Sequence, residues 1–593
     1  MIFVPKKRFF LPLLTFLTAM APMAQRHASI QKIEDVVVID GKLSEAFWQN
    51  QDAFDAFINQ WPVDSGLAKL QTHVRLAFDD QFLYVGAICY DRGTGRIIRT
   101  LKRDQENEHF GSDGFGIVLD PVNKKSNGFF FGVNAGGAQI EGLIRISDSS
   151  TEIEENWDNR WLSKVSATDS SWMVEMAIPF RTLRYNPDEA NWGINFVRND
   201  MDNNVYSSWN QVPVNLNTID LGYTGILNWT SPPPKVKNGS VNIIPYVSGS
   251  ALKDHSNGSS TVADGNIGVD AKIALNSSLN LDLTINPDFS TVDVDVQQTN
   301  LTRFSLFFPE RRSFFLENSD LFTSFGLGSI QPFFSRRIGL SNGSTIPILF
   351  GARVTGNLTE KVRVGAMNVR TGSADGVNAQ NFTLGTLHHR IGKRSSIKGL
   401  FVNRQAVNNQ QDQTEARFNR VGALELNLLS PNGKWGGDIG MQKSFNPHDL
   451  DEEEYYSATF RHRSKRLFAR ASMHMVGQNF LTDAGFVPRL LNHDAARDTV
   501  VRLGFTRLSY LVVYDFYSES DKVNLHGPRF SGTYVLNEDG SINGSFDGLF
   551  YYFSFKNQSD LEVRFTLDRD NLPFDSFIAG DIPFPGANYK YRS

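Results

Sequence analysis

The residues best suited to chemistry here are tryptophans with polar neighbours: Trp61 beside Gln60, Trp157 with Trp161, and Trp209 with Asn210. A flat aromatic face receives the apolar side of a pyranose, and flanking polar groups satisfy its hydroxyls. Asp113, Asn134, Glu141 and Arg198 are candidates for that polar rim. Trp48, Trp172 and Trp192 sit inside strand or helix patterns and read as core. A second concentration is acidic: Asp288, Asp293, Asp295, Glu310, Glu317 and Asp320 accompany Arg303, Arg311 and Arg312. A glycosidase needs two carboxylates several ångströms apart with pKa values pushed apart. With so many arginines at hand, lumen ion pairs or a plug-like constriction are the expected role, and binding is expected over hydrolysis. His388 and His389 are adjacent, so in a strand they point to opposite faces. Asp79, Asp80 and Asp91 would hold calcium only if carbonyls converge on them. No other cofactor is expected. The chain has no Gly-x-Ser-x-Gly elbow, phosphate-cradling loop or His-Glu-x-x-His pair.

These residues need a scaffold, and the composition limits which one. The 593 residues carry 59 Lys+Arg against 64 Asp+Glu, a net charge of −5, which gives no basic footprint for nucleic acid. Phe is abundant at 46, and the single Cys89 excludes an intramolecular disulfide or a Cys-based zinc cluster. Lys6, Lys7 and Arg8 precede an apolar run from Phe9 to Met20, then the small residues Ala21 and Ala24. That order predicts a secretory signal over residues 1–24 and an exported protein. From residue 25 onward no apolar run reaches 18 residues, so membrane insertion would have to use a β-barrel.

Ser231-Pro232-Pro233-Pro234-Lys235 predicts a stiff linker over 231–239. Before it, short strands are expected at Val74–Phe78, Phe82–Ile88, Phe115–Leu119, Phe129–Val133, Trp172–Ile178 and Trp192–Val197, with one helix over Leu43–Phe54. Turn signals at such short intervals predict a β-sandwich over 25–230. After the linker, Leu279, Leu281, Leu283 and Ile285 alternate with polar residues, as do Leu561 to Leu567 and Leu424 to Leu428. One apolar and one polar face over so long a stretch, with no helical layer, predicts a barrel of roughly 14–18 strands over 240–593. Phe550–Phe553 and Tyr510–Tyr517 are expected as interfacial aromatic girdles, and 286–322 as a plug or constriction. A second soluble all-β domain is the competing reading.

Several blocks also carry a resemblance: Ile39-Asp40-Gly41 to Trp48; Phe82-Leu83-Tyr84-Val85-Gly86; Ser112-Asp113-Gly114 to Asp120; Gly128 to Asn134; Trp172 to Phe180; and Trp192 to Arg198. In this order they resemble family 9 carbohydrate-binding modules, β-sandwiches of the DOMON-like group, across roughly residues 30–225. Asn286-Pro287-Asp288-Phe289-Ser290, Phe307 to Glu317 and Gly485 to Arg489 are similar to secreted bacterial proteins in which such a domain precedes a barrel-like region. The resemblance implies two aromatic faces clamping a terminal sugar, at the matching positions Phe110 and Trp209, with Phe110 standing where a Trp is usual. It implies a glycan or polysaccharide partner, outer-membrane lipid around the barrel, and a role in polysaccharide catabolism. The alternatives are a glycoside hydrolase using carboxylates of the 286–320 block, or a structural or translocation barrel without sugar binding. The chain ends Tyr591-Arg592-Ser593 where such barrels commonly end in an aromatic, so missing last strands and an unclosed seam are expected.

Overall fold

The computed structural model describes residues 25–592 except 94, 124, 126, 147–150, 156, 158, 184, 186–190, 236–240, 254–260, 277–278, 288–297, 300–303, 328–329, 342–343, 360, 375, 393, 408–416, 448–449, 521 and 578–582. The expected signal, part of the linker, and Asp288, Asp293, Asp295 and Arg303 lie outside the described residues.

The expected sandwich strands all form. One sheet runs Thr151–Glu154, Gln139–Ile146, Asn127–Asn134, Gly114–Asp120, Asn191–Asp200 and Gly225–Trp229 to His27–Lys32. The other runs from His27–Lys32 through Thr72–Phe78, Phe82–Tyr90 and Ser171–Pro179 to Leu162–Ala167. His27–Lys32 pairs in parallel with a neighbour on each side and so joins the two sheets at one edge. Alternate residues of both sheets meet between them, and Phe78, Phe115, Trp172, Phe180 and Trp192 are fully buried there. The helix expected over Leu43–Phe54 shrinks to a single turn, Ala46–Gln49. Its job is to press Phe47 and Trp48 onto the back of the second sheet, and one turn suffices. Glu175 fixes that turn by accepting from Trp48 Nε1 at 3.1 Å and the Gly41 amide at 3.2 Å. Cys89 is buried and its thiol is pushed up to about 12 by burial, so it is an inert packing residue.

After the linker a 17-stranded antiparallel sheet runs from Val241–Leu252 to Asn588–Arg592. Among the described residues no ladder joins those two edge strands. The polarity of this sheet is reversed relative to a soluble fold. On the Leu279–Ile285 strand, Asn280, Asp282 and Thr284 are buried while Ile285 is exposed. On Phe418–Leu429, Asn419, Glu425 and Asn427 are buried while Leu424 and Leu428 are exposed. The polar side curls around the chain between 304 and 338. Phe314, Phe315, Leu321, Phe322, Phe325, Ile330 and Phe333 share one apolar cluster with Met367, Phe382, Leu400, Tyr455, Phe505 and Val535, which lie on strands spread across the sheet. A single compact cluster can unite such distant strands only if the sheet wraps around it. A second inward segment, with Phe480, Ala484 and Leu490, joins the same cluster.

The expected aromatic girdle is only half realised, because successive residues alternate across a strand. Tyr551 and Phe553 lie opposite the exposed Val563 and Leu561. Phe550 and Tyr552 are on the other face, beneath Arg564 and Arg529.

Candidate functional site

The two clamp positions do not meet. Trp209 is 4% exposed, in the core between the sheets, with Phe54 at 5.7 Å and Phe196 at 5.5 Å. Phe110 packs instead on the outer side of the first sheet, stacked on Phe130 at 5.8 Å. The pair is therefore separated by a β-sheet, and Trp209 offers no open face to a sugar.

The expected polar rim is likewise committed to holding the sandwich together. Asp113 accepts the Ile97 amide at 2.7 Å and the Met201 amide at 3.0 Å, with Arg198 at 3.8 Å. Burial raises the Asp113 carboxyl, while Arg198 opposes that shift. Arg198 points into the core, 5.0 Å from the Trp172 ring, and donates to the Asn199 and Gly114 carbonyls. Asn134 closes its own turn, accepting from Gly136 and Ala138 and donating to Thr100 O. Glu141 is buried, bonded to Trp161 Nε1 at 3.0 Å, the Asn159 amide and Arg103. Trp157 packs on Phe129, and Asn210 bridges backbone groups of neighbouring segments.

Trp61 is different. It is half-buried on the short strand Ile58–Trp61, which pairs with Val205–Ser208, and its ring tilts against Tyr206 at 5.9 Å. The Tyr206 hydroxyl donates to the Phe110 carbonyl at 3.0 Å. Trp61 and Tyr206 thus form one half-exposed aromatic ledge, tied at its edge to the Phe110 backbone. Sequence reasoning missed Tyr206. Alternation held the signal: in Tyr206-Ser207-Ser208-Trp209, an inward Trp209 puts Tyr206 on the opposite face.

This side of the sandwich meets the curled sheet. The sheet's connections at 358–361, 392–394, 430–434, 464–466 and 556–559 are short, whereas 286–347, 372–379, 407–417, 477–504 and 572–587 at the other end are long. The sandwich touches the short-turn end. Arg394 reaches Asp220 at 2.8 Å; Gln558 accepts from Arg99 and donates to the Met201 carbonyl; Lys465 lies 3.8 Å from Asp64. Ser319, from the enclosed segment, donates to Glu154 at 3.3 Å.

The acids of the 304–320 stretch are paired. Glu310 is held by Arg312 at 2.6 Å and by Ser335, Glu317 by Lys272 at 3.0 Å, and Asp320 by Arg363 at 2.6 Å. His388 turns inward to the Leu321 carbonyl. His109 is buried over Gly132, whose missing Cβ makes room for its ring. Asp79 caps its turn through the Gln81 and Phe82 amides, and Asp91 pairs with Arg96. Among the described residues no group of three His, Cys, Asp or Glu side chains is arranged to hold a metal. No helix among them is long and apolar enough to cross a membrane, which says nothing about strands.

Near Glu154 the Glu106 amide donates to Glu155. The Glu106 carboxyl is pushed up to about 7 by burial, then by Glu155 and Glu152. An acid whose folded pKa lies above its unfolded one favours folding below the unfolded value, here 4.5. That advantage fades as pH climbs through about 7. The sandwich is therefore expected to lose stability over this interval, and Glu106→Gln to flatten the loss. Tryptophan-monitored unfolding of the full chain at stepped pH reads this directly; a wild-type profile that rises with pH contradicts it.

Comparison with known proteins adds the following. Residues 39–213 match the family model described as carbohydrate family 9 binding domain-like, and residues 239–358 match the domain of unknown function DUF5916. The first is the family that the sequence blocks resemble. No curated protein matches the chain. Among solved structures, a family 9 carbohydrate-binding module from Caldicellulosiruptor kristjanssonii in complex with cellotriose is 17% identical. It covers 36% of this chain and 96% of its own, with a TM-score of 0.26. OccK1 (OpdK) from Pseudomonas aeruginosa is 10% identical, covering 81% and 96%, with a TM-score of 0.27. OccAB2 from Acinetobacter baumannii is 9% identical, covering 81% and 96%, with a TM-score of 0.28.

Proposed function

We propose that this chain is an outer-membrane β-barrel whose sandwich covers one mouth and binds carbohydrate there. The observation that carries the reading is the docking of the sandwich on the short-turn end of a sheet whose apolar face points outward. An outward apolar band and an enclosed polar face suit a hydrocarbon surround, since every strand in lipid must pair and turn its apolar side out. Short turns lie on the periplasmic side of such barrels, so the sandwich faces the periplasm. The family match over 39–213 supplies the sugar expectation, and the Trp61–Tyr206 ledge is the aromatic surface available for it. A role in polysaccharide uptake or breakdown follows from that pairing. Export through residues 1–24 is part of the same proposal.

Two experiments test it. The protein should sediment with outer membranes and be released by detergent alone; recovery as soluble periplasmic protein refutes the barrel. In calorimetry with oligosaccharides, Trp61→Ala is expected to weaken binding by about 1–3 kcal/mol, the usual cost of losing one aromatic stacking face. Equal heats for wild type and variant reject the ledge as the site.

A second reading, a sandwich that caps the barrel without binding sugar, is favoured by one observation. The clamp positions Phe110 and Trp209 lie on opposite sides of a sheet. Absence of heat with every oligosaccharide would select it.

A further inference from the structure

The wall of the enclosed space just below the sandwich is basic. Arg461 and Arg470 are directly opposite one another on neighbouring strands, and four residues further along the second strand His474 faces Arg507. All four share the enclosed face: Arg461 lies an even number of positions from Tyr455, Arg470 and His474 from Val476, and Arg507 from Phe505, and those three apolar residues belong to the internal apolar cluster. The Arg461 guanidinium lies over Gly436, where a Cβ would touch it at 2.9 Å. Across the next strand the same face carries one acid, Asp438, opposite Thr459. Arg470 has no carboxylate partner among the described residues.

Like charges placed directly opposite in a ladder are unfavourable, and Arg470 gains no compensating pair from the described residues. Arginine's planar fork suits carboxylates, and rings of Arg or Lys inside barrels and channels select anions. Position relates this wall to the ledge. Arg461 and Arg470 stand on the two strands joined by the 464–466 turn, and Lys465 in that turn contacts Asp64, three residues beyond Trp61. Arg461 is roughly 13 Å along the strand from Lys465 at about 3.3 Å per residue.

We propose that the carbohydrate is acidic: an oligosaccharide rests a ring on Trp61 and Tyr206 while its carboxylates are held by Arg461, Arg470 and Arg507 on the barrel wall. This rests on the carbohydrate reading above and adds the substrate class to it. The test is calorimetry on the full chain in detergent, with an oligogalacturonate and a neutral cello-oligosaccharide of equal length at low salt. The acidic sugar is expected to bind at least about tenfold tighter, with 0.5 M salt erasing most of that margin because screened charges steer and bind less. Arg470→Gln should remove the preference, and Arg470→Lys should keep most of it. Equal affinities for the two sugars, or a preference unchanged in both Arg470→Gln and high salt, overturn the acidic substrate while leaving the carbohydrate reading standing. No heat with either sugar overturns both. If Arg470→Gln does not fold, judged by heat-modifiable migration, the salt series on the wild-type chain still decides.

Discussion

Asp282→Ala is expected to destabilise the barrel by about 3–5 kcal/mol, the usual cost of leaving one member of a buried ion pair uncompensated. Asp282 and Arg353 are opposite residues on the Leu279–Ile285 and Ile348–Asn357 strands, with Nη2 2.8 Å and Nε 3.2 Å from the same carboxylate oxygen. Their side chains are 5% and 1% exposed, and Nη1 of Arg353 has no hydrogen-bond partner. Arg353 also lies 5.4 Å from the Phe314 ring of the enclosed segment, so an unpaired guanidinium would disturb the seat of that segment as well. The double variant Asp282→Ala/Arg353→Met should recover most of the loss, because it removes the stranded charge and keeps an apolar arm under Phe314. Urea unfolding in detergent measures both. A single variant within 1 kcal/mol of wild type, or a double variant no better than the single, defeats the argument.

How far the sequence reaches can be judged from particular residues. Period-two alternation foresaw the Leu279–Ile285, Phe418–Leu429 and Asp560–Asn571 strands and which side of each is apolar, because alternation is a local property of a pleated chain. The nearby arginines suggested ion pairs for the enclosed acids; Glu310 does find Arg312, while Glu317 and Asp320 find Lys272 and Arg363, which lie outside that block. The sugar site was far less legible. Trp209 and Trp61 look alike as letters, each beside an amide residue, yet one fills the core and the other sits half-exposed at an edge. Burial is decided by which sheet closes over a ring, and that depends on contacts between residues hundreds of positions apart. Arg198 shows the same limit from the other side. A charged residue normally reads as surface, but here it is fully buried beside Trp172 with Asp113 near it. The docking of the sandwich was not legible either. Asp220–Arg394 and Asp64–Lys465 join turns that carry no mutual signal along the chain.

The enclosed segment is seated by two missing side chains, and that gives the second large effect. Gly351 and Gly365 lie on adjacent strands with their Cα hydrogens facing inward. A Cβ on Gly365 would meet Phe322 at 2.7 Å and Thr386 at 2.8 Å, and one on Gly351 would meet Phe314 at 2.9 Å. Phe322 and Phe314 are each almost fully buried in those sockets. Thr386 belongs to a paired strand and cannot retreat, so in Gly365→Val it is the ring of Phe322 that must leave. Ejecting a buried phenylalanine costs about 3–5 kcal/mol. The segment around Asp320–Thr323 is therefore expected to loosen, and trypsin to cut at Arg311, Arg312, Arg336 or Arg337 in Gly365→Val at rates at least about tenfold above wild type. Gly385→Val is the control, because a Cβ there meets nothing within 4 Å. In Gly365→Val/Phe322→Ala the clash with the ring is gone and only the Thr386 contact stays, so the second change should cost much less than Phe322→Ala does alone, a coupling of about 1–3 kcal/mol. Strictly additive costs, or equal protease resistance in Gly365→Val and Gly385→Val, would show that the sockets do not hold the segment and that its ion pairs to Lys272 and Arg363 do.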